Sequence, residues 1–522
     1  MGRIKKDDKT IKEQQDQEEM NTNAINKNSE RTALLSSSLS KIPTSEYANY
    51  DNIISPPAKT SHVEHAKWLI QKCTPLLTTT LLHQFTKWVV IISAGHLGSV
   101  ELGAIALAHV FENLSSKLTT WSFRNALSTL CSQAWTGAEN KTLVGVYLQR
   151  GYILYFLMNI PIGVMWTNSN YIFKLLKQDQ DVSQSTEIYL LYQFPGYIAH
   201  GCYVLLMGYL QAQGIMQATV FVLTLSLPLY IVFNYILVYY IDLEIIGISL
   251  ALTLNYFTIL GLLALYAAKI EGYHGWGGWS RQCLQEWSPI LHYYFPASVG
   301  SLWGMISEAI ITFSVSYLGK TELAAQAILL RSSLTMFAPG RALKNILATR
   351  IGNQLGIGSP NDARRAYFVG GSVGLVLGIF FTIVLMVCQN SYAYMFTSDD
   401  SVAVAVSSVI PVFAVTQTAD MFRSVTTGVL QGVGRQKELA IISFLSDFVF
   451  ALPLCYIFTF WLNGGLIGLW SGIACGYFVT AIVQILYIFV KIDWIIESER
   501  ARKCIAVQQD KLNNRTGRDR LD

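Results

Sequence analysis

Long apolar runs recur along the whole chain, and each is about as long as a helix that crosses a bilayer. A membrane-spanning helix needs about 20 mostly apolar residues. Runs of this kind lie near residues 75–96, 102–126, 143–166, 188–211, 218–240, 245–269, 288–317, 322–347, 366–389, 402–430, 437–461 and 464–490. We therefore predict an all-α polytopic membrane protein with twelve transmembrane helices.

The second and eighth runs are more polar than the others. They contain LAHVFENLSSKLTTWSF (107–123) and LLRSSLTMFAPGRALKN (329–345). Hydropathy alone would rank both of them poorly as membrane spans. They are retained because they occupy the same place in the two copies of an internal repeat.

The internal repeat divides the chain into two halves. GHLGSVEL (95–102) reappears as SYLGKTEL (316–323), 221 residues later, and Pro75 corresponds in the same way to Pro296. We expect these two prolines to mark the starts of corresponding helices. Six spans in each half give both halves the same orientation, so a pseudo-twofold axis along the membrane normal should relate them.

The repeat also sets the expected domain boundaries. We predict a tail at residues 1–65, an N-terminal lobe of six helices at 66–272, a C-terminal lobe of six helices at 273–495, and a second tail at 496–522. Both tails are polar, and residues 500–522 resemble residues 1–65 in composition, so we expect them to be disordered.

Positive charge is concentrated on one side of the predicted spans. An even number of spans places both termini on the same side, and an excess of Lys and Arg marks cytosolic loops. Loops on the tail side carry Arg124, Lys141, Arg150, Lys269, Arg281, Arg341, Lys344, Arg350, Arg364, Arg365, Arg435 and Lys437, whereas the opposite loops carry Lys174, Lys177 and Lys320. We therefore predict that both termini are cytosolic.

Composition excludes several classes of protein. The chain is 52% hydrophobic and 14% charged, whereas soluble proteins carry about 25% charged residues. The net charge of +4 is weak, which argues against nucleic acid as a partner. The eight cysteines have no zinc-type spacing, and HExxH, GxSxG and P-loop motifs are missing from the sequence. We therefore expect neither an enzyme nor a bound metal or cofactor.

Several motifs carry a family resemblance. They are GHLGSVEL (95–102), ALSTLCSQAWTGAENKTLVGVYLQRG (126–151), ATRIGNQLGIGSPNDARRA (348–366), GVLQGVGRQ (428–436) and LIGLWSGI (466–473). Together they resemble the multidrug and toxic compound extrusion (MATE) transporters, in the eukaryotic, fungal-like branch. The resemblance covers about residues 65–495. It implies two six-helix lobes that form a V, and export of organic cations or metabolites in exchange for protons or sodium.

The resemblance assigns roles to two acidic residues. Glu308, in WGMISEAI, stands where the family places an essential acid in the seventh helix, and Asp420 stands where it places one in the tenth. Ser128 and Trp135 replace the Asp and Tyr of the usual family motif ALDTLCSQAYGA. The first span also lacks the Asp of many prokaryotic members, so the resemblance does not extend to coupling through the first lobe.

Charged side chains inside the spans are the main candidates for function. An ionised group at the bilayer centre costs at least about 2.5–3.5 kcal/mol, so such groups face water or the protein interior. The candidates are Lys87, Glu112, Glu308, Arg331, Asp420, Arg423 and Asp447, with His83, His109 and His200 as neutral possibilities. Arg423 follows Asp420 by one helical turn and is therefore placed to neutralise it.

The repeat maps the two family acids onto basic types of residue. Glu308 minus 221 is Lys87, and Asp420 minus 220 is His200. We infer that the C-terminal lobe holds the proton and the cationic substrate, and that Lys87 pairs with Glu112 as a structural lock. Burial raises the pKa of a carboxyl group and a nearby cation lowers it, so a proton and an organic cation compete for one acid.

The sequence thus predicts a monomeric secondary antiporter for a small organic cation, with a proton or sodium as the coupling ion. Trp303, Tyr317 and Trp135 are candidates to stack on the substrate. The alternative is a lipid or glycolipid flippase of related architecture, in which Lys87, Arg331 and Arg423 would bind a phosphate head group. ERTALL (30–35) fits an acidic dileucine sorting pattern and favours a vacuolar membrane, while the plasma membrane stays open.

Overall fold

Helices make up the regular structure of the protein. The computed structural model describes residues 62–175, 178–315, 317–396 and 399–518, and within these ranges no strand forms. These residues all belong to one compact unit, Thr60–Asp522. The predicted tail at 1–65 and its sorting pattern lie almost entirely outside the described residues, except that a helix already begins at His62.

Twelve long helical segments follow one another in the described part of the chain. They are α1 (His62–Leu97), α2 (Ser99–Leu118 continued by Thr120–Gly137), α3 (Thr142–Thr167), α4 (Gln180–Ala212), α5 (Gln217–Tyr240), α6 (Glu244–Lys269), α7 (Ser288–Val315), α8 (Lys320–Met336 continued by Ala338–Ile357), α9 (Pro360–Val387), α10 (Asp400–Val433), α11 (Gln436–Trp461) and α12 (Gly465–Lys491). A further helix, α13, covers Trp494–Arg518.

Seven of these segments are long and apolar enough to cross a membrane by length and composition alone, namely α5, α6, α7, α9, α10, α11 and α12. The other five segments are α1, α3, α4 and, as the sequence predicts, the polar α2 and α8. Both α2 and α8 are also interrupted, at Thr119 and at Phe337, within one helical turn of repeat-related positions. Some of their polar side chains are buried between helices, including Ser115, Ser116, Gln326 and Ser332, and a hydropathy window does not measure this burial.

The backbone reproduces the sequence repeat. Wide π-helical turns close α5 at Ile236–Tyr240 and α11 at Ile457–Trp461, at the same shift of 221 residues. Positive φ angles follow each turn in the same register, at Asp242 (62°) and at Asn463 (51°). The two halves therefore share unusual backbone geometry as well as sequence.

The prolines of the repeat do not begin helices. Pro75 lies inside α1 and Pro296 lies inside α7, well beyond the first turn of each helix. The expectation that they mark helix starts is therefore wrong. A proline inside a helix removes one backbone hydrogen bond, and such prolines are tolerated in membrane helices because neighbouring groups can satisfy the freed carbonyl.

Packing within each half is centred on one long helix. In the first half α4 packs against α2, α3 and α6, and in the second half α10 packs against α8, α9 and α12. Buried aliphatic side chains such as Leu343, Leu347, Val425 and Val429 fill the second core. Large apolar side chains are exposed on the outside of the helices, including Ile160, Val376, Phe380 and Phe489. Exposed apolar surface on this scale is typical of contact with lipid.

Residues beyond 495 do not form a disordered tail. α13 extends from Trp494 to Arg518 and buries Glu497, Ala501 and Ile505 against the helical bundle. The prediction of disorder for 500–522 is therefore wrong for the residues up to 518. This segment is polar overall, but its buried side chains repeat at helical spacing, so packing supplies the stability that its composition does not indicate.

Candidate functional site

An ion pair on α10 forms the centre of the candidate site. The guanidinium of Arg423 donates a hydrogen bond to Oδ1 of Asp420, one helical turn away, as their spacing predicts. The side chain of Asp420 is 2% exposed and that of Arg423 is 35% exposed. The guanidinium also lies 4.4 Å from the ring centre of Tyr477 on α12. The pair is thus buried at one end and open at the other.

The second carboxylate oxygen of Asp420 has an unusual environment. Oδ2 is buried and has no hydrogen-bond partner among the described residues. Gly340 on α8 lies directly against it, since a Cβ at this position would be 3.0 Å from Oδ2. The charges of Arg341 and Lys344 on α8 also act on this region. A buried carboxylate with one free oxygen can still accept a proton or bind a cation.

Asp447 joins the same site from α11. It lies in a π-helical segment, Leu445–Ala451, and its charge acts on both Arg423 and Tyr477. The corresponding residue of the first half, Ser226, lies in regular α-helix within α5. The two halves therefore differ here in charge and in backbone. Single π-helical turns are often found at functional sites.

Glu308 approaches the site from α7. Its side chain is 56% exposed, and its carboxylate lies 3.4 Å from Nζ of Lys117, whose side chain is 40% exposed. The charge of Glu308 also acts on Tyr477, as do those of Asp420 and Asp447. The charges of the three acids that the sequence singles out in the second half therefore all act on Tyr477. Lys117 was missed by sequence reasoning, although it lies in the polar second span.

The corresponding region of the first half is built from other residue types. His200 stands in place of Asp420, and its ring lies 4.7 Å from that of Tyr256, the repeat counterpart of Tyr477. His83 packs edge-on against His200 at 5.9 Å. The charge of Lys87 acts on both histidines. The structure therefore brings Lys87 and His200 together, without an acid at either repeat position.

Glu112 does not form the expected lock with Lys87. Its carboxylate lies 3.1 Å from Nδ1 of His109, one turn earlier on α2. Within the described ranges no ion pair joins Lys87 to Glu112, although the charge of Lys87 does act on that carboxylate. The predicted direct pairing is therefore wrong, because a histidine at i−3 on the same helix is closer.

The aromatic candidates do not meet at one place. Trp303 packs against Phe444 of α11 with ring centres 4.9 Å apart. Tyr317 is 71% exposed at the end of α7, where its ring contacts Phe313. Trp135 is buried in the last turn of α2. Tyr477, which the sequence did not single out, does contact the charged site, since its ring centre lies 4.4 Å from the guanidinium of Arg423.

The two halves are in close contact on the α13 side of the molecule. Oγ1 of Thr136 donates to the carbonyl of Asn353 at 2.7 Å, and Nε2 of Gln133 donates to the carbonyl of Gly432 at 3.1 Å. Arg124 donates to Oδ1 of Asn345 at 3.2 Å, and these two residues are themselves 221 positions apart. A contact between repeat-related residues marks the pseudo-twofold axis, so the halves seal against each other along it.

The described residues offer no metal centre, since no group of three or more His, Cys, Asp or Glu among them could hold a metal ion. The candidate site is therefore a set of carboxylates and aromatic rings in the second half, facing a lysine of the first half. Such a set can exchange protons and bind organic cations.

Comparisons with known proteins identify the family. The MatE family model matches residues 75–236 and residues 296–457, one match in each half. Multidrug and toxin extrusion protein 1 of Xenopus tropicalis is 33% identical over 445 residues, which cover 84% of this chain and 76% of that protein. The human protein of the same name is 29% identical over 433 residues, covering 83% and 75%. An uncharacterized transporter of Schizosaccharomyces pombe is 29% identical over 418 residues, covering 80% and 77%.

Solved structures share the fold. The eukaryotic MATE transporter AtDTX14 superposes with a TM-score of 0.78 at 23% identity, covering 85% of this chain and 99% of that one. A transporter of the MOP superfamily from Pyrococcus furiosus gives 0.74 at 18% identity, covering 88% and 99%. The chain therefore belongs to the MATE family of multidrug and toxin extrusion transporters, and it is a multi-pass membrane protein with twelve helices in two six-helix lobes.

Proposed function

We propose that this protein is a monomeric secondary antiporter that exports organic cations, including xenobiotics and metabolites, in exchange for protons. One observation carries the proposal. Glu308, Asp420 and Asp447 of the C-terminal lobe all act on Tyr477, whereas the N-terminal lobe has Lys87, His200 and Ser226 at the repeat positions. At these repeat positions the acids stand in the C-terminal lobe, whereas the acid of the N-terminal site, Glu112, comes from another position on α2 and is paired with His109.

Two of the three acids, Glu308 and Asp420, are suited to different tasks. Glu308 is more than half exposed, so a hydrated substrate cation or a proton can reach it directly. Asp420 is buried and already paired with Arg423, which leaves one oxygen for a proton. When a proton and a cation compete for one group, binding of either releases the other, and this competition is the basis of antiport. Sodium could replace the proton in the same scheme.

Alternating access follows from the arrangement of the lobes. Transporters with two repeated halves move one half against the other around a site between them. Here the contacts between the lobes on the α13 side include single hydrogen bonds and close approaches of glycine, as where Gly356 lies against the backbone of Gln133, beside buried apolar contacts of Leu69 and Leu76 with the core of the second half. Such contacts can break and re-form without unfolding either core.

The coupling of transport to an ion gradient is tested with purified protein in liposomes. Uptake of a fluorescent organic cation should be driven by an imposed pH gradient, and Glu308→Gln should abolish this uptake. Glu244→Gln, an exposed carboxylate at the start of α6, serves as the matched control and should transport normally. Uptake that follows a sodium gradient instead would identify sodium as the coupling ion. Full transport by Glu308→Gln would overturn the proposal.

The orientation in the membrane is part of the proposal. The excess of Lys and Arg on the α13 side favours cytosolic termini, in either a vacuolar or a plasma membrane. Two cysteines mark the two sides, since Cys388 is exposed after α9 and Cys504 lies on α13. In cells with the protein at the surface, a membrane-impermeant maleimide should label a single-cysteine variant at 388. A variant that keeps only Cys504 should react only after permeabilisation, and the reverse pattern would contradict this orientation.

A lipid or glycolipid flippase is the second candidate. Arg341 and Lys344 lie close enough to Arg423 for their charges to interact, and a cluster of cations can bind a phosphate head group. Translocation of a fluorescent phospholipid or glycolipid in the same liposomes would favour this alternative. Absence of lipid movement together with uptake of the organic cation would exclude it.

A further inference from the structure

Lys117 places a cation of the N-terminal lobe on an acid of the C-terminal lobe. Its ammonium lies 3.4 Å from the carboxylate of Glu308, and both side chains are accessible to solvent. Lys117 belongs to the last turn before α2 is interrupted at Thr119. Carbonyl groups at a helix C-terminus favour a positive charge, so the helix itself helps to hold the lysine in place.

The backbone around Lys117 is fixed on both sides. The carbonyl of Lys117 accepts a hydrogen bond from Oγ of Ser122 at 2.8 Å, and the carbonyl of Leu118 accepts one from Oγ of Ser298 at 3.0 Å. Ser298 belongs to α7, the helix that carries Glu308. The lysine is thus tied to the helix of its partner, and its position does not depend on the ion pair alone.

The arrangement has no counterpart by repeat symmetry. The residue 221 positions after Lys117 is Ala338, and the counterpart of Glu308 is Lys87. At the repeat-related position, therefore, the C-terminal lobe does not place a cation on an acid of the N-terminal lobe. The ion pair of Lys117 with Glu308 thus has no repeat-related equivalent, and it involves an acid whose side chain is exposed to solvent.

We propose that Lys117 is a tethered competitor for Glu308 that sets the affinity and selectivity for cationic substrates. An organic cation must displace the ammonium before it can bind the carboxylate, and a proton on Glu308 releases the ammonium in the same way. Compounds without a positive charge cannot take the place of the ammonium at Glu308, so they should bind weakly. The inference rests on the proposed function, since it assumes that Glu308 binds the substrate.

The test measures the binding of a fluorescent organic monocation to the purified protein. Exposed ion pairs are worth about 0.2–1 kcal/mol, which corresponds to a factor of up to about five in affinity. Lys117→Met should therefore lower the Kd of the dye by about twofold to fivefold. Lys117→Arg, which keeps the charge, should leave the Kd unchanged, and Lys117→Met should have no effect when Glu308→Gln is also present.

The outcomes separate this inference from the proposed function. An unchanged Kd in Lys117→Met, in a protein where Glu308→Gln weakens binding, would overturn the inference and leave the proposed function standing. If Glu308→Gln binds the dye as tightly as the unaltered protein, the proposed function itself fails. Equal tightening in Lys117→Met and Lys117→Arg would show a packing effect and would also overturn the inference.

A separate observation concerns α13, which contacts both lobes. In its first turns Glu497 forms an ion pair with Arg435, and Oγ of Ser498 donates to the carbonyl of Leu355 at 3.2 Å, both in the C-terminal lobe. In its later turns Gln508 accepts a hydrogen bond from Arg150 at 3.3 Å. The next residue, Gln509, accepts one from the backbone of Glu139 at 3.0 Å.

The two attachments differ in strength. Glu497 is 3% exposed in a charged pair, whereas the later contacts with the N-terminal lobe use the two neutral amides of Gln508 and Gln509. Burial lowers the pKa of Arg435, but its hydrogen bonds and charge interactions with Glu497 and Glu438 outweigh this effect and raise the pKa above its usual value. The guanidinium of Arg435 therefore stays charged over the physiological range.

We infer that α13 is a clasp that holds the lobes together on its own side and releases the N-terminal lobe when the lobes separate. The weaker attachment breaks first, so α13 should move with the C-terminal lobe. The inference concerns the movement of the lobes and does not depend on which substrate is carried.

Lobe contact can be followed with cysteines at positions 136 and 353, in a background without other cysteines, since these helices touch there. Removing the weak attachment with Gln508→Ala and Gln509→Ala together should slow cross-linking by several-fold. The matched control changes two exposed positions of the same helix, Lys503→Ala and Asp510→Ala, and should cross-link normally. Equal rates in the two double variants would overturn the clasp.

Discussion

Replacement of Asp420 by Asn tests whether the buried ion pair on α10 is a structural or a coupling element. The substitution keeps the shape of the side chain but removes its charge. The guanidinium of Arg423 then loses its carboxylate partner and keeps the ring of Tyr477 at 4.4 Å. The protein should therefore become less stable, because one member of a charged pair remains without compensation.

The size of the effect follows from the burial of the two partners. Breaking a fully buried ion pair costs about 3–5 kcal/mol, and a hydrogen bond to a charged group contributes about 1.5–3 kcal/mol. Asp420 is 2% exposed, but Arg423 is 35% exposed, so water can compensate the guanidinium in part. We therefore expect Asp420→Asn to lower the free energy of unfolding by about 2 kcal/mol, which is roughly a thirtyfold change in the equilibrium.

The assay is a double-mutant cycle read by reversible unfolding in mixed micelles. Asp420→Asn, Arg423→Gln and the double variant are compared with the unaltered protein. Because both single variants break the same pair, the double variant should be little worse than either one, with a coupling energy of about 1.5 kcal/mol or more. Strict additivity of the two single effects would refute the interaction on which this reasoning depends.

Transport by the same variants separates stability from coupling. If Asp420 takes part in proton exchange, the double variant should be folded and should still fail to concentrate substrate against a pH gradient. Restored transport in the double variant would mean that Asp420 serves only to neutralise Arg423. The cycle therefore decides between the two roles that the sequence alone leaves open.

Two further predictions concern stability. Glu497→Gln should lower the free energy of unfolding by about 2 kcal/mol, because the partly buried Arg435 then keeps Glu438 alone as a charged partner; an unchanged melting temperature would contradict this. Gly472→Ala should cost about 1–3 kcal/mol, since its Cβ would lie 2.5 Å from the backbone nitrogen of Cys455. Gly371→Ala, where a Cβ meets open space, is the matched control, and equal effects of the two changes in a thermal melt would refute the packing argument.

The spans and the repeat could be predicted from sequence because both depend on local pattern. Apolar runs of bilayer length survive any arrangement of the helices, and the shift of 221 residues reappears in the π-helical turns of α5 and α11. The polar α2 and α8 were found only through the repeat. Their stability comes from burial between other helices, which a hydropathy window does not measure.

Other features depend on contacts between distant residues and could not be read from the sequence. Lys117 and Glu308 are 191 positions apart, and nothing in the local pattern around either residue indicates the other. The partner of Glu112 was misjudged because His109 competes from the same helix. The helix α13 is stabilised by long-range contacts such as the pair of Glu497 with Arg435. These contacts are not visible in the local sequence, where the polar composition indicates a disordered tail.

The central claim is that proton exchange takes place at the acids of the C-terminal lobe. The most direct measurement is uptake of an organic cation into liposomes under an imposed pH gradient, comparing Glu308→Gln with Lys87→Met, its repeat counterpart in the other lobe. The account predicts that Glu308→Gln abolishes gradient-driven uptake and that Lys87→Met retains it. Retained uptake in Glu308→Gln, with loss in Lys87→Met, would place coupling in the N-terminal lobe and contradict the account.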